Sequence, residues 1–155
     1  MAFIDYNSVD ILTGSSSHGV MKRGFFSYAS PSYSSTNRYF HFKTNIIGGA
    51  IMTMVEAKGT HYGASARIHS RWVFYSYHVG SLINRNFHNI GGTTGLVTGG
   101  TYLSTDNYVV IWGEMSATSG DCNFTLNAIH PCPTGSRYGI GITAYTTTTS
   151  SSGAY

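Results

Sequence analysis

The carboxylates are the first residues of this sequence that could do chemistry, because paired acids catalyse the hydrolysis of glycosidic bonds. The six acidic residues are Asp5, Asp10, Glu56, Asp106, Glu114 and Asp121. A glycosidase must hold two carboxyl groups about 5 to 9.5 Å apart. Asp5 and Asp10 lie in a predicted stem and Asp106 and Asp121 in predicted turns, which leaves Glu56 and Glu114 as the pair on strands of the head. Glu56 shares a strand face with Lys58, which favours an ion pair. The pattern predicts that the protein is not an enzyme, with a polysaccharide depolymerase as one alternative.

Nucleophilic and metal-binding motifs are weak in this sequence. Residues 15–18, Ser-Ser-Ser-His, lie in a flexible segment without the strand-to-helix elbow of a reactive serine. Cys122, His130 and Cys132 could supply three zinc ligands, but a fourth ligand and a second close pair are missing. The Gly-rich segments lack the lysine and the following helix of a phosphate site. We therefore predict no metal and no cofactor.

Aromatic and neutral polar side chains are the groups that remain for a function. Tyrosine gives contact area and a hydrogen bond at small entropic cost, and amides and hydroxyls match the hydroxyl groups of sugars. Aromatic residues in loops and the histidines beside them could stack on a sugar ring, although each one alone is more simply a loop residue or a contact between subunits. The predicted receptor-binding residues are Tyr33, His61, Tyr62, Tyr77, His78, Asn84 and Arg85.

These side chains must be positioned by β-strands, because no segment longer than a turn has a helical period. Residues 67–79 form the longest run of β-branched and aromatic residues without Gly or Pro. Alternation along this run places Trp72 and Phe74 on one face, the predicted core, and Tyr75 and Tyr77 on the other. We expect it to be the central strand. Its polar face needs partners, and a second chain is one source of them.

Further short strands are predicted on both sides of this run. Two pairs are expected to form hairpins: residues 50–58 with 67–79, and residues 101–104 with 108–114. The run from Val109 to Trp112 is expected to be deeply buried. The other predicted strands are residues 2–6, 9–12, 20–28, 37–45, 82–87, 122–129 and 138–145. Strands at this spacing, with turns between them and no intervening helices, predict an all-β fold, an antiparallel β-sandwich of the jelly-roll kind.

Two regions follow from the composition along the chain. Residues 1–19 contain two short strands and a Ser- and Gly-rich connector, and they look like the end of a longer stem. Residues 20–155 form the predicted head domain, which ends in a polar tail over residues 146–153. The Gly-rich run of residues 90–100 retains Leu96 and Val97 for packing, so it predicts bends or bulges rather than a linker.

The composition of the 155 residues indicates a folded protein with an unusual surface. Only 10% of the residues are charged, whereas Gly occurs 19 times and Tyr 12 times. An aromatic content of 14% and a hydrophobic content of 41% argue against disorder. A surface with so few charges repels its own copies poorly, which favours a permanent oligomer or an extracellular particle.

Several functional classes are disfavoured by the sequence. The net charge of +3 is spread along the chain without a basic stripe, so nucleic-acid binding is not expected. We find no apolar run of about 20 residues and no signal peptide, so no insertion into a membrane is predicted. Two cysteines make no disulfide scaffold, and we expect folding in a reducing cytoplasm.

Several short sequence segments in and beside the predicted strands resemble those of one known family. They are residues 39–46 (Tyr-Phe-His-Phe-Lys-Thr-Asn-Ile), 54–63 (Met-Val-Glu-Ala-Lys-Gly-Thr-His-Tyr-Gly), 72–77 (Trp-Val-Phe-Tyr-Ser-Tyr), 104–111 (Ser-Thr-Asp-Asn-Tyr-Val-Val-Ile) and 125–128 (Thr-Leu-Asn-Ala). In these segments and their order, from about residue 37 onward, the chain resembles the C-terminal domains of bacteriophage tail-fibre proteins, including those of cyanophages. The resemblance carries no active-site motif, and it assigns no residue a role.

The resemblance implies a homotrimeric head at the distal end of a fibre, which contacts the host surface and performs no covalent chemistry. We therefore expect a virion protein that folds in the host cytoplasm and binds a host-cell polysaccharide or lipopolysaccharide. The alternative is a structural virion component without a ligand, such as a fibre-folding cap or a capsid decoration.

Overall fold

The computed structural model describes residues 10–12, 20–29, 38–48, 50–61, 66–90, 96–115, 122–130 and 140–155. These residues contain ten β-strands and no helix. The strands are β1 (Asp10–Leu12), β2 (Val20–Ala29), β3 (Arg38–Thr44), β4 (Ile51–His61), β5 (Ala66–His78), β6 (Ser81–Asn89), β7 (Leu96–Leu103), β8 (Val109–Met115), β9 (Cys122–His130) and β10 (Ile142–Thr148). Most of the predicted strands are confirmed, whereas the strand predicted at residues 2–6 and the connector at 13–19 lie outside the described residues.

The strands form two antiparallel sheets. The six-stranded sheet has the order β1-β2-β9-β4-β5-β6, and the four-stranded sheet has the order β10-β3-β8-β7. Both predicted hairpins are confirmed, since β4 pairs with β5 and β7 pairs with β8. In each sheet an early strand also pairs with a late one, β2 with β9 and β3 with β8. The sheets are therefore fixed by contacts between distant parts of the chain.

Alternation within β5 decides which face of the six-stranded sheet is buried. Ile68, Ser70, Trp72, Phe74 and Ser76 all point into the core, and the residues between them lie on the opposite, outer face. Trp72 and Phe74 are fully buried, as the period of two along this run predicts. The same alternation holds in β9, where Cys122, Phe124, Leu126 and Ala128 are buried.

One hydrophobic core joins the two sheets. Phe40 and Phe42 of β3 stack with ring centroids 4.7 Å apart, and Phe40 lies 6.2 Å from Trp72 of the facing sheet. Tyr28 and Phe124 of the six-stranded sheet pack at 5.1 Å, and Tyr28 also reaches Phe40 at 5.7 Å. The two sheets thus pack face to face in a β-sandwich-like arrangement, with aromatic rings filling the space between them.

Gly113 shows how tightly this core is packed. It lies in β8 directly opposite Phe40 on β3. A Cβ atom at this position would run into the Phe40 ring. Only the absence of a side chain at Gly113 lets the Phe40 ring lie against the strand, as interior packing densities require.

The structure corrects four details of the sequence analysis. The strand β5 is interior but not central, because β9 and β4 occupy the middle of the sheet. The strand β4 continues to His61, three residues beyond the strand predicted at residues 50–58. Trp112 is partly exposed rather than deeply buried, because it points away from the core. Finally, the predicted polar tail begins as the strand β10, which runs to Thr148.

The described end of the Gly-rich run, residues 96–100, contains a bulge, as expected, and it belongs to the strand β7. The register of β7 with β8 shifts between Leu96 and Gly99, and Leu96 is fully buried. In the part of the chain that the structure describes, no helix is long and apolar enough to span a bilayer.

Candidate functional site

The outer face of the six-stranded sheet carries the largest set of side chains that the core does not use. On β4 these are Met52, Met54, Glu56 and Lys58, and on β5 they alternate with the buried residues from Arg67 to Tyr77. Cross-strand register places Glu56 opposite Arg71 and Met52 opposite Tyr75. The face therefore divides along the strands into a charged part and an apolar part.

The charged part is the Glu56 cluster, which consists of Glu56, Lys58, His69 and Arg71. The Glu56 carboxylate accepts from Lys58 Nζ at 2.9 Å, from His69 Nε2 at 2.9 Å and from Arg71 Nη2 at 3.3 Å. Neighbouring strands bring these groups together because β4 and β5 pair in register across this point. Three donors on one carboxylate form a network, which is worth more than isolated surface pairs.

The pKa of Glu56 reflects this network. Burial alone would raise it, but the hydrogen bonds from His69, Lys58 and Arg71 prevail and lower the pKa of Glu56 to about 2. The carboxyl group is thus ionised at neutral pH and does not have the raised pKa of a general acid. Glu114 lies on the outer face of the other sheet, so the structure does not bring together the carboxylate pair that the depolymerase alternative requires.

The apolar part of this face is exposed. Met52 is 40% exposed, Ile83 44% and Tyr77 45%. Tyr75 lies between them, since it pairs with Met52 on one side and with Ile83 on the other. The Tyr75 and Tyr77 rings are 5.7 Å apart. We call these four residues, Met52, Tyr75, Tyr77 and Ile83, the apolar strip.

Four of the predicted receptor-binding residues lie on the hairpin of β5 and β6. The Tyr77 and His78 rings are 3.8 Å apart at the end of β5. Asn84 and Arg85 follow in β6, where Asn84 has a φ of 51° in a register shift of the hairpin. The Arg85 guanidinium donates from Nη1 to the carbonyl of Thr101 at 3.4 Å. The structure thus groups these residues beside the apolar strip, while their role in receptor binding stays a prediction.

His61 is not part of this group. It is the last residue of β4, is only 2% exposed and pairs with Ala66 at the beginning of β5. The hairpin residues lie near the other end of β5. A strand of this length spans about 40 Å, so His61 is far from them. The predicted residues Tyr33 and Tyr62 fall outside the described part of the chain.

Two of the three candidate zinc ligands lie far apart, because Cys122 and His130 are the first and the last residue of β9. Cys122 is fully buried, and burial raises the pKa of its thiol to about 12. On the neighbouring strand β4, Cys122 is paired with His61. The Cys132 residue and the side chain of His130 are outside the described part, and within that part no three His, Cys, Asp or Glu residues are grouped as metal ligands. The described residues thus offer no metal centre.

The outer face of the four-stranded sheet differs because residues 149–155 lie across it. His41 in β3 is fully buried, and its Nε2 is 2.9 Å from the Ser150 carbonyl oxygen. A carbonyl only accepts, so Nε2 carries the proton and donates, and Nδ1 of the neutral ring can accept from the Tyr102 hydroxyl at 3.2 Å. Burial lowers the pKa of His41, against the opposing effect of the Ser150 carbonyl.

Lys43 contacts the C-terminal end of residues 149–155. Its Nζ pairs with Asp106 at 2.6 Å and lies 5.3 Å from the Tyr108 ring and 5.7 Å from the Tyr155 ring. An ammonium group over aromatic rings is attracted by their negative faces. The segment of residues 149–155 is therefore fixed at both His41 and Lys43.

On this face the sequence analysis missed Tyr39 and Trp112 as binding candidates, and it considered Glu114 only as a possible catalytic carboxylate. The last two point outward from β8, on the side opposite the buried Val109 and Ile111. Residues two positions apart in a strand lie on the same face, so the spacing of Trp112 and Glu114 could have shown that they point the same way. The apolar run from Val109 to Trp112 was instead read as uniformly buried.

Comparisons with known proteins identify no relative: no family model, no curated protein and no solved structure matched the chain.

Proposed function

We propose that this chain is the receptor-binding head at the distal tip of a bacteriophage tail fibre, which attaches to a host-cell surface glycan as a homotrimer. In this proposal the head is a jelly-roll-like sandwich, residues 1–19 are the end of the fibre stem, and the protein acts in the virion without covalent chemistry. The nested pairing of β2 with β9 and of β3 with β8 supports the jelly-roll class.

The apolar strip is the observation that carries the proposal. In a chain with only 10% charged residues, it leaves large apolar side chains on an open sheet face. Fully burying one such side chain contributes roughly 1.5 to 3 kcal/mol, and the half that is still exposed contributes correspondingly less. Covering these four side chains in each of three copies would favour association. The net charge of each chain is small, so electrostatic repulsion between copies opposes association only weakly.

The Glu56 cluster is compatible with a contact between copies through the apolar strip. It lies beside the apolar strip on the same strands, and its single carboxylate is paired with the Lys58 ammonium and the Arg71 guanidinium. A neighbouring copy could cover the edge of the cluster without leaving Glu56 unpaired in a low-dielectric interface. The second-chain partners that the polar face of β5 requires are thus supplied by other copies.

Glycan recognition is supported by the residue types that remain exposed. Next to the apolar strip, the β5–β6 hairpin presents His78 and Asn84, which combine stacking surface with hydrogen-bonding groups. Single contacts of this kind are weak. Three copies on one fibre tip raise the effective concentration, so the whole tip binds far more tightly than one head.

The proposal is tested by binding of the purified protein to an array of purified bacterial lipopolysaccharides and capsular polysaccharides, together with co-sedimentation with intact bacteria. We expect binding to a narrow set of polysaccharides and to the cells that display them. A structural cap without a ligand would bind neither, and this result would overturn the receptor-binding function.

The same samples separate attachment from cleavage. A depolymerase would shorten the bound polysaccharide with time and release reducing ends, and Glu56→Gln or Glu114→Gln would stop the release. We expect the chain length of the polysaccharide to stay constant. Progressive shortening by the wild-type protein would contradict the assignment as a non-enzymatic binding domain.

A further inference from the structure

An open groove of about 430 Å³ lies on the outer face of the six-stranded sheet, where β2, β9 and β4 run side by side. Sites for small molecules commonly have volumes of about 300 to 1,000 Å³. The side chains that line the groove and point outward are Ser27, Ala29, Lys58, Asn123 and Thr125. We call this cavity the Lys58 groove.

Strand register places the polar groups of the groove in one row. Ser27 of β2 pairs with Thr125 of β9, and Thr125 pairs in turn with Lys58 of β4. The row therefore extends about 10 Å from Ser27 to Lys58 across the strands. Gly59 lets β4 and β9 approach closely here, because a Cβ atom at this position would run into the carbonyl oxygen of Asn123.

The neutral side chains of the groove match the hydroxyl groups of a sugar. Ser27, Asn123 and Thr125 are all exposed. A serine or threonine hydroxyl can donate one hydrogen bond and accept others, and the asparagine amide offers two donors and one acceptor. The Thr125 hydroxyl donates to the Lys58 carbonyl oxygen at 3.5 Å, which leaves its own lone pairs able to accept.

Lys58 brings a positive charge to the groove. It belongs to the Glu56 cluster, in which Lys58 and Arg71 carry two positive charges and Glu56 carries one negative charge. At least one positive charge is therefore in excess. The Lys58 side chain is 55% exposed, and its ammonium group has three donors, of which one is directed at Glu56 Oε2 at 2.9 Å. An anionic group in the groove can accept from the others.

The Lys58 groove stays open in the trimer that we propose. Along β4, Lys58 follows Met52 of the apolar strip by six residues, which is about 20 Å. The strands β2 and β9 lie on one side of β4, and β5 and β6, which carry the rest of the strip, lie on the other. A copy that covers the strip therefore contacts a different region of the same sheet.

We infer that the Lys58 groove binds an acidic sugar unit of the host polysaccharide, with the sugar carboxylate at the Lys58 ammonium group and the sugar hydroxyls at Ser27, Asn123 and Thr125. A uronic acid carries one carboxylate and several hydroxyls on a single ring, as this row of groups requires. The inference rests on the proposed function and names its ligand class, a polysaccharide with carboxylated sugars. It adds an ionic contact to the neutral polar groups of the β5–β6 hairpin.

Chemical reduction of the polysaccharide gives a matched pair of probes. The first probe is the bacterial polysaccharide that binds most strongly on the array, and we expect it to contain carboxylated sugars. The second is the same polysaccharide after carbodiimide activation and borohydride reduction, which convert each uronic acid into the neutral hexose. Reduction should weaken binding to the wild-type protein about tenfold, because the charged hydrogen bond to Lys58 is lost in every copy.

Variants of the groove locate the contact. Lys58→Gln should weaken binding of the unreduced polysaccharide about tenfold and leave binding of the reduced one unchanged. Asn123→Asp keeps the size of the side chain but repels a carboxylate, so it should weaken binding by a similar factor. Lys43→Gln is the matched control, since it removes a lysine that is ion-paired with Asp106 on the other sheet, and it should bind like the wild type. Circular dichroism confirms folding, and Asn123→Asp carries the test if Lys58→Gln does not fold.

The outcomes distinguish the inference from the function it rests on. If the strongest binder has no carboxylates, or if reduction and both groove variants leave binding unchanged, the inference is overturned and the proposed function stands. If the wild type binds neither polysaccharides nor cells, both fail. If Asn123→Asp loses binding together with its oligomeric mass, the groove is a contact between copies, and the inference is again overturned.

Discussion

The outer faces of the two sheets differ in how far the chain itself covers them. On the four-stranded sheet, residues 149–155 cover part of the face, and the fully buried His41 finds its partners within the chain. On the six-stranded sheet, the apolar strip stays exposed and no described segment of the chain lies over it. The first face is thus partly covered by the chain itself, whereas the second would be covered by another copy in the trimer that we propose.

The electrostatics of the two faces also differ. Glu56 is stabilised as an anion by three donors, and its pKa is lowered to about 2. His41 is stabilised as a neutral ring, and burial lowers its pKa below 6.5. Acid therefore acts on the faces in separate pH ranges, which lets each face be tested without the other.

The largest expected effect is on the exposed face. Met52→Glu places a charge on the apolar strip, where each interface would have to bury it, so the proposed trimer should dissociate and the apparent mass should fall threefold. Val97→Glu is the matched control, because Val97 is 54% exposed on the edge of the other sheet. Sedimentation velocity measures both. Equal masses for the two variants would show that the strip makes no contact between copies.

A smaller effect is expected on the covered face. His41 has a lowered pKa, so the unfolded chain binds more protons than the folded one just below pH 6.5. The stability it contributes is present above pH 6.5 and is lost as the pH falls towards the folded pKa. Hydrogen exchange of residues 149–155 should therefore accelerate several-fold between pH 6.5 and 5, after correction for the intrinsic exchange rate.

His41→Gln separates this titration from other acid effects. The glutamine amide can still donate to the Ser150 carbonyl but cannot titrate, so the pH dependence should flatten. The variant should be less stable by about 1 kcal/mol, because the contact with Tyr102 is altered. His88→Gln, at an exposed histidine of the other sheet, should keep the wild-type pH dependence. A His41→Gln profile equal to that of the wild type would contradict the role of His41.

The smallest effect is expected at Glu56. Its folded pKa of about 2 lies below the ordinary value of 4.5, so its stabilising contribution is present above pH 4.5 and is lost between pH 4.5 and 2. Glu56→Gln should cost about 0.5 kcal/mol at pH 7, since Lys58 and Arg71 are partly in water, and only a small part of that at pH 2, close to the folded pKa. Urea unfolding at both pH values measures the difference. An equal loss at both pH values would attribute the effect to packing.

Much of the fold could be predicted because the alternation of buried residues is a local property. The period along β5 identified Trp72 and Phe74 as core residues, and turn signals identified both hairpins. The position of β5 within the sheet could not be predicted. It depends on the pairing of β4 with β9, which are far apart in the chain.

The site was predicted less well, for a related reason. The burial of His41 follows from a contact with Ser150, 109 positions away, and no local pattern encodes it. His61 was read as a loop residue because Gly59 and Gly63 flank it, yet the strand β4 continues through Gly59. Trp112 was assigned to the core because its apolar neighbours were read together, although alternation turns it outward.

The mass of the wild-type protein in solution tests the central claim most directly. Sedimentation equilibrium at micromolar concentration and neutral pH should give three times the chain mass of 16.8 kDa, with no folded monomer on dilution. A well-folded species of 16.8 kDa under these conditions would contradict the account, because the exposed strip would then need no second copy.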